Sequence, residues 1–386
     1  METADTVIVG GGVIGCATAY YLAGRGLRVV LCERRALAAE ASGANAGMVG
    51  ASGGLPGRTL LHTRKSIELL AQAEEELGQP IEFVRGGRFM LAHSPAQWTA
   101  VQDFAATRRR EGIDVELLSG PDARRLEPLL GPSVVGAAHA PGDGHVNPFL
   151  LTHAYAAAAK RHGAEIRTGV TVTALDMSGG RVSGVRTQTG GIAAATVVLA
   201  AGAWSAELMA RLGVSLPVRP GRGQMLVTDV LPPLSRRVLR APALGIRQDV
   251  RGHLLIGSTV EDVGFDRGVT LPTLARFCQV AAGIMPVLRT ARILRAWSGF
   301  RPMTPDSLAI IDTVPGATGL VLATGHSRSG VSYGPVTGWL VAQLVADGKT
   351  QLPLTPFRLD RFAAPAAISA AAGSRTGSVT DGHTHH

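Results

Sequence analysis

The sequence predicts an α/β fold in which a Rossmann-type dinucleotide-binding unit is interleaved with a second domain. Three observations predict it. Residues 6–33 read as strand, glycine turn, helix and strand, the pattern of a βαβ unit of about 30 residues. The chain has 386 residues, more than one ordinary hydrophobic core supports. Strand-like and helix-like runs then alternate along the chain as far as residue 346, and the period of the apolar residues separates the two types.

Residues 6–9 are a short β-branched run, expected as a buried strand, and residues 10–15 are the glycine turn. Residues 16–23 have helical character, stopped by Gly24, Arg25 and Gly26. Residues 28–32 form a second buried strand that ends at Glu33. Residues 42–57 are too apolar for a linker and too rich in glycine for a good helix. A helix is expected over 59–77, a strand over 83–92 and a helix over 95–111, and the alternation repeats over 114–118 and 121–126. A helix over 148–162 is closed by Gly163. Strands follow at 165–167, 170–176, 182–187 and 196–200. Between 216 and 300 the strand-like runs 224–228 and 253–257 alternate with one helix near 272–285. A buried strand at 319–324, a glycine-rich loop at 325–334 and a helix at 335–346 come last. The tail from 363 to 386, rich in Ala, Gly, Ser and Thr, is expected to be disordered.

Composition narrows the function classes. Apolar residues make up 46% and charged residues 17%, a globular balance rather than a disordered one. The net charge is +9, but the lysines are only Lys65, Lys160 and Lys349, and the arginines are dispersed. The densest stretch, Arg108, Arg109 and Arg110, is expected on a solvated helix face, so no nucleic-acid partner is expected. Cys16, Cys32 and Cys278 have neither metal-ligand spacing nor the density of a disulfide framework. Cys16 and Cys32 are read as small buried residues of the βαβ unit, and Cys278 as a helix core residue. No signal peptide is visible and no apolar run is long enough to span a membrane. The expectation is a cytoplasmic chain with no membrane span.

Gly10, Gly11, Gly12, Val13, Ile14 and Gly15 fit G-x-G-x-x-G. The strand before, the helix after and the acid at the end of the next strand make the match specific. Gly10 suits the tight turn, Gly12 a close backbone approach to a pyrophosphate, and Gly15 helix–strand packing. The helix start offers free N–H groups and a positive dipole end. Glu33 follows at close to the spacing of about 20 expected of an acid on ribose hydroxyls, with Arg34 beside it. The motif alone leaves FAD and NAD both open.

Four blocks along residues 5–350 resemble the D-amino-acid-oxidase-like flavoprotein superfamily, which includes glycine oxidase, sarcosine oxidase and D-amino-acid dehydrogenase. The first is the fingerprint followed by Ser42, Gly43, Ala44, Asn45, Ala46, Gly47 and Met48. The second is the run of Val170, Thr171 and Val172, then Ala201, Gly202, Ala203 and Trp204. The third is the segment from Pro220 to Gln224. The fourth, Trp297 to Asp306, contains Arg301 in a W-x-G-x-R-P-x-T-P-D pattern and precedes a loop of Gly325, His326, Ser327, Arg328, Ser329, Gly330 and Val331.

The resemblance implies non-covalent FAD. Its contacts are expected at Gly10, Gly12, Val13, Ile14, Gly15, Glu33, Arg34 and the 42–48 segment, and at Val172, Ala201, Gly202 and Trp204. Arg301, Gly325, Ser327, Arg328, Ser329, Gly330 and Val331 complete the set. Core packing is the other reading of Trp204. Arg301 is expected to hold a substrate carboxylate, since a guanidinium clamps a carboxylate bidentately. Arg328 is expected near the substrate, and His326 as a base or as a structural neighbour of the flavin. Arg222 is expected to pair with an acid.

The implied fold is a Rossmann-type FAD-binding domain (1–80, 146–215 and 301–362) interleaved with an α+β substrate domain on a mostly antiparallel sheet (81–145 and 216–300). The implied reaction is oxidation of the C–N bond of a small amine or amino acid to an imine, by hydride transfer to flavin N5. Oxygen or a redox partner would take the electrons. One alternative is a catalytic or flavin-binding subunit of an opine dehydrogenase-, hydroxyproline dehydrogenase- or hydrogen cyanide synthase-type complex; a homo-oligomer is the other assembly considered. A tRNA-modifying flavoprotein is a second alternative. Whether Phe89, Met303 or Tyr333 lines the pocket stays open.

Overall fold

The strand Glu2–Val9 lies inside an eight-stranded sheet because its apolar residues have neighbours on both faces. It pairs in parallel with Val29–Glu33 on one side and Gly190–Leu199 on the other. Glu165–Thr168 and Ala317–Thr324 extend the parallel set outward. The hairpin of Val172–Ser178 and Arg181–Thr187 and the edge strand Ile310–Val314 add antiparallel pairings. Val7, Ile8, Leu31, Val197 and Val198 are buried, as the central strands of a doubly covered sheet must be. This computed structural model describes residues 2–54, 57–242 and 244–362. The tail expected to be disordered, 363–386, lies outside the described residues.

The helix Val13–Ala23 is apolar almost all round and buries nine of its eleven residues. Such a helix needs cover on every side, and it packs against Pro148–Arg161 and Gly330–Asp347 as well as the sheet.

A second eight-stranded sheet runs in the order Ile293–Met303, Arg219–Val230, His253–Gly257, Leu244–Gln248, Val238–Ala241, Arg88–Ala92, Gly136–Ala140, Glu116–Ser119. All its pairings are antiparallel except Val238–Ala241 with Arg88–Ala92. Its core is closed by Phe277, Ala281 and Ile284 of the helix Leu271–Ile284.

Several expectations need correction. The strand expected over 83–92 begins only at Arg88, because Gly87 takes φ +86° and breaks the extended run. The 196–200 strand is the end of the ten-residue Gly190–Leu199. The domain border expected at 300/301 falls inside the strand Ile293–Met303. Cys278 is exposed, not core, since the buried stripe of its helix is 277, 281 and 284. Arg108 is buried rather than solvated: its Nε donates to the Ser52 carbonyl at 2.7 Å and its Nη2 to the Gly54 carbonyl at 2.7 Å. No helix among the described residues is long and apolar enough to cross a membrane.

Candidate functional site

A cleft of about 390 Å³ opens where the parallel strands end and extends to the second sheet. Gly10 takes φ +116°, and a Cβ there would strike the Ala200 carbonyl. A Cβ on Gly15 would strike the Gly10 carbonyl, so the helix starts tight against the strand. Gly15 therefore lies beneath the cleft, whose wall is formed by Gly10, Gly12, Val13 and Ile14. The Val13 N–H donates to Ser42 Oγ at 2.9 Å. The Ser42 hydroxyl keeps its own proton to donate elsewhere.

Glu33 accepts from the Gly11 N–H at 2.7 Å and the Arg35 N–H at 2.8 Å, one on each oxygen. A carboxylate oxygen has a further acceptor site, so Glu33 keeps capacity toward the cleft it lines. Arg34 lies 3.9 Å over the Trp204 ring, which stacks on Phe265 at 4.8 Å. Trp204 is half-buried on the cleft wall rather than in a core. Val172, Ala201 and Gly202 line the same end.

Asn45, Ala46, Gly47 and Met48 lie along the cleft. Both amide hydrogens of Asn45 go to the Ala41 and Ser42 carbonyls, and its oxygen accepts from Gly47 N–H. Its side chain is thus spent on the shape of the loop, and no donor is left for a ligand.

At the far end Arg301 reaches off its strand, with Nη1 donating to the Thr259 carbonyl at 2.9 Å and Nη2 to Ser258 Oγ. Burial, then the charge of Arg328, hold its guanidinium down to about 10. Arg328 is exposed on the 325–329 loop, and Ser327, Gly330 and Val331 line the cleft beside it. Gly325 and Ser329 do not line the cleft. Gly325, at φ +70°, lies against Thr304, and Ser329 lines a separate small cavity with Tyr333.

His326 is buried and its Nε2 meets Thr337 Oγ1 at 3.0 Å. Burial pushes it down to about 3, which is too weak a base for work near neutral pH. Phe89, Met303 and Tyr333 are not part of the cleft wall. Arg222 is held by Glu261 and Asp266, each at 2.5 Å.

Residues 5–344 match the family described as DAO, FAD dependent oxidoreductase. The chain belongs to this family. It is 35% identical to the glycine oxidase of Geobacillus kaustophilus over 92% of this chain and 97% of that protein. It is 32% identical to the hydrogen cyanide synthase subunit HcnC of Pseudomonas aeruginosa over 96% of this chain and 99% of that protein. The crystal structure of the Geobacillus kaustophilus glycine oxidase superimposes with a TM-score of 0.88 at 34% identity, covering 93% of this chain and 99% of the other.

The enzyme is therefore an FAD-dependent oxidoreductase, and the residues present suit that cofactor. The glycine cradle would be filled by any Cβ, the Ser42 proton is free, and the helix Val13–Ala23 begins at the cleft with no side-chain cap on Gly12. These are the features by which backbone N–H groups bind phosphates. Sequence reasoning missed Arg240, Ser258, Phe300, Glu207 and Arg211, all on the cleft wall. Arg240 sits in the strand Val238–Ala241 and Ser258 just past the strand His253–Gly257, and neither belongs to a motif. Their only signal is tertiary: the second sheet folds back onto the first.

Proposed function

We propose that this DAO-family enzyme oxidises the C–N bond of a small amino or imino acid, with Arg301 as the carboxylate anchor. One observation carries the reading. Arg301 is a half-buried guanidinium that lines the cleft and holds only neutral acceptors, Ser258 and the Thr259 carbonyl. Two of its five donors are used, leaving a fork for an incoming carboxylate.

When bound, FAD supplies the two-electron acceptor for the substrate's α-C–H. This chain's own residues hold the cofactor and the substrate. Gly10, Gly12 and the Val13–Ala23 helix start would take the pyrophosphate, with Ser42 donating. Glu33 would take the ribose hydroxyls, and Val172 and Trp204 the adenine side. The 45–48 segment and the 327–331 loop would flank the ring. The positive end of the helix Gly330–Asp347 favours negative charge arriving there.

No general base is required. The cations Arg301 and Arg328 lower the basicity of a bound amine, so the site selects the neutral amine that the reaction consumes. His326, held neutral by burial, packs and orients the loop. We read residues 1–80, 146–215 and 301–362 as the FAD half and 81–145 and 216–300 as the substrate half, the last border moved past Met303.

A second reading concerns assembly. The relative from Pseudomonas aeruginosa is named as a subunit, and Val260, Val263, Phe265, Leu271, Ile293 and Leu294 are exposed on the second domain. Exposed large apolar side chains are one place where a partner could dock.

The test is anaerobic mixing of the yellow protein with glycine, sarcosine, D-amino acids, proline derivatives and opines. Bleaching of the visible flavin band by one of these classes supports the reading. Bleaching by none of them, with full FAD content, overturns it. Recolouring in air separates an oxidase from a dehydrogenase.

A further inference from the structure

The cleft holds more positive charge at its substrate end than one carboxylate needs. Arg240, Arg301 and Arg328 all line it. Among the described residues none of the three has a carboxylate within salt-bridge distance. The acids on the same wall are committed elsewhere. Glu40 pairs with Arg34, Arg35 and Arg267. Glu33 takes backbone N–H groups. Glu207 sits on the helix Ser205–Ala210, which packs on the strand Val172–Ser178 at the opposite end.

The backbone explains how two of these arginines converge. In the second sheet Arg240 pairs with Gly245, Gly245 with Gly257, and Gly257 with Met225. Paired residues of antiparallel strands place their side chains on one face. Arg301 lies across Gly223, where a Cβ would strike its guanidinium, and ends on Ser258. Thus Arg301, on Ile293–Met303, and Arg240, on Val238–Ala241, stand on one face of the sheet and flank residues 257–258 from opposite ends of the strand order. The strand positions Gly245 and Gly257 between them carry no side chain of their own, and Met225 packs over Gly257. Met48 lies over Gly245 and closes the floor toward the 42–48 loop.

Arg240 is half-buried, and the charges acting on it are all cationic: Arg328, Arg88 and Arg301. Of these only Arg88 has its own acid, Asp143 at 3.2 Å. A guanidinium in this setting is stabilised by a desolvated anion and by nothing else on the wall. Arg301 takes the first carboxylate in the reading above.

We propose that Arg240 binds a second anionic group, so that the preferred substrate is a small amine carrying two carboxylates. This rests on Arg301 as the anchor of the first. The second carboxylate sits either on the α-carbon side chain, as in an acidic amino acid, or on the nitrogen substituent, as in an N-carboxyalkyl amino acid. The two share the same recognition chemistry.

The test uses the FAD-loaded enzyme and anaerobic reduction kinetics with D-aspartate, D-glutamate and iminodiacetate against D-alanine, glycine and sarcosine. The wild type is expected to favour a dicarboxylate over its monocarboxylate analogue by tenfold or more in kcat/KM. In Arg240→Gln that ratio falls at least tenfold, mostly through KM, and Arg240→Lys recovers part of it. Arg301→Gln instead weakens both classes. Which dicarboxylates respond assigns the second group to the side chain or to the nitrogen.

The proposal is overturned if monocarboxylates reduce the flavin as well as or better than dicarboxylates. It is also overturned if Arg240→Gln and Arg240→Lys depress both classes by the same factor, or if their main effect is FAD loss. Each of these leaves the amino-acid reading standing. Failure of every amine to reduce the wild type would overturn that reading instead, and this proposal with it.

Discussion

Replacing Arg301 with glutamine removes the charge and the planar fork and leaves a shorter, neutral polar side chain. In the structure Nη1 and Nη2 hold the Thr259 carbonyl and Ser258 Oγ, so the remaining donors form the bond to substrate. A hydrogen bond to a charged group contributes about 1.5–3 kcal/mol. Two such bonds to one carboxylate then give about 3–6 kcal/mol. Glutamine keeps some hydrogen bonding, so the lower half of that range applies. At about 1.4 kcal/mol per factor of ten, kcat/KM for the amino acid is expected to fall roughly 100-fold or more.

The assay is stopped-flow flavin reduction with an amino acid and with the amine lacking its carboxylate. The wild-type preference for the acid should collapse in Arg301→Gln, while Arg301→Lys keeps the charge, loses the fork and lies between. If the variant retains its FAD and loses acid and amine by the same factor, Arg301 only braces residues 258–259. If kcat/KM for the acid stays within about threefold of wild type (about 0.65 kcal/mol), it is not the anchor.

Gly10→Ala places a Cβ at φ +116° against the Ala200 carbonyl. Strain of about 1–3 kcal/mol adds to the clash, so the protein should purify with little FAD; a normal flavin-to-protein ratio refutes the cradle. Asp143→Ala leaves Arg88 buried without its partner at 3.2 Å, which costs about 3–5 kcal/mol. Urea unfolding should show the loss, and an unchanged midpoint would mean that Arg88 finds another acceptor. His326 titrates near 6.5 when unfolded and is held to about 3 by burial. Between those values the unfolded chain binds the extra proton, so stability falls as pH falls through that window. At pH 5 the loss from this histidine is about 2 kcal/mol relative to its value well above pH 6.5. Comparing urea midpoints at pH 7.5 and 5 in wild type and His326→Asn checks it, and an equal drop in both rules it out. Ser42→Ala deletes the acceptor for the Val13 N–H, an N-cap-like loss of about 1 kcal/mol. FAD affinity should fall about fivefold or more by fluorescence titration, and no change would remove Ser42 from the phosphate site.

The nucleotide half of the site was legible because its chemistry is carried by backbone. A turn that needs Gly10 at positive φ and Gly15 against a carbonyl writes glycine into the sequence at fixed spacing. Ser42 and Trp204 were placed by resemblance, and the structure puts both on the cleft wall. The parallel strands were legible because double-sided burial makes continuous apolar runs. The strands Val238–Ala241 and Leu244–Gln248 were not read. They are only four and five residues long, Gly245 leaves one face without a side chain, and Arg247 and Gln248 end the apolar run, so the alternation is too short to mark a strand. The strand Ile293–Met303 was seen as a motif but not as a strand because Gly299 and Arg301 stand where apolar residues would signal a sheet face. Arg108 was misread because a run of three arginines on a helix looks solvated. Only the fold brings the Ser52 and Gly54 carbonyls to its guanidinium.

The two ends of the cleft therefore differ in what holds them. The cofactor end is built from main-chain groups and small residues at the ends of parallel strands, so its shape is tied to the backbone of the sheet. The substrate end is built from long side chains standing on a glycine floor, and the sheet beneath pairs through its backbone whether Arg240 or another residue stands there. Substrate choice can thus change without moving the flavin cradle. The side chains above the second sheet are then the place where substrate choice is set, and in this chain they include Arg240 and Arg301.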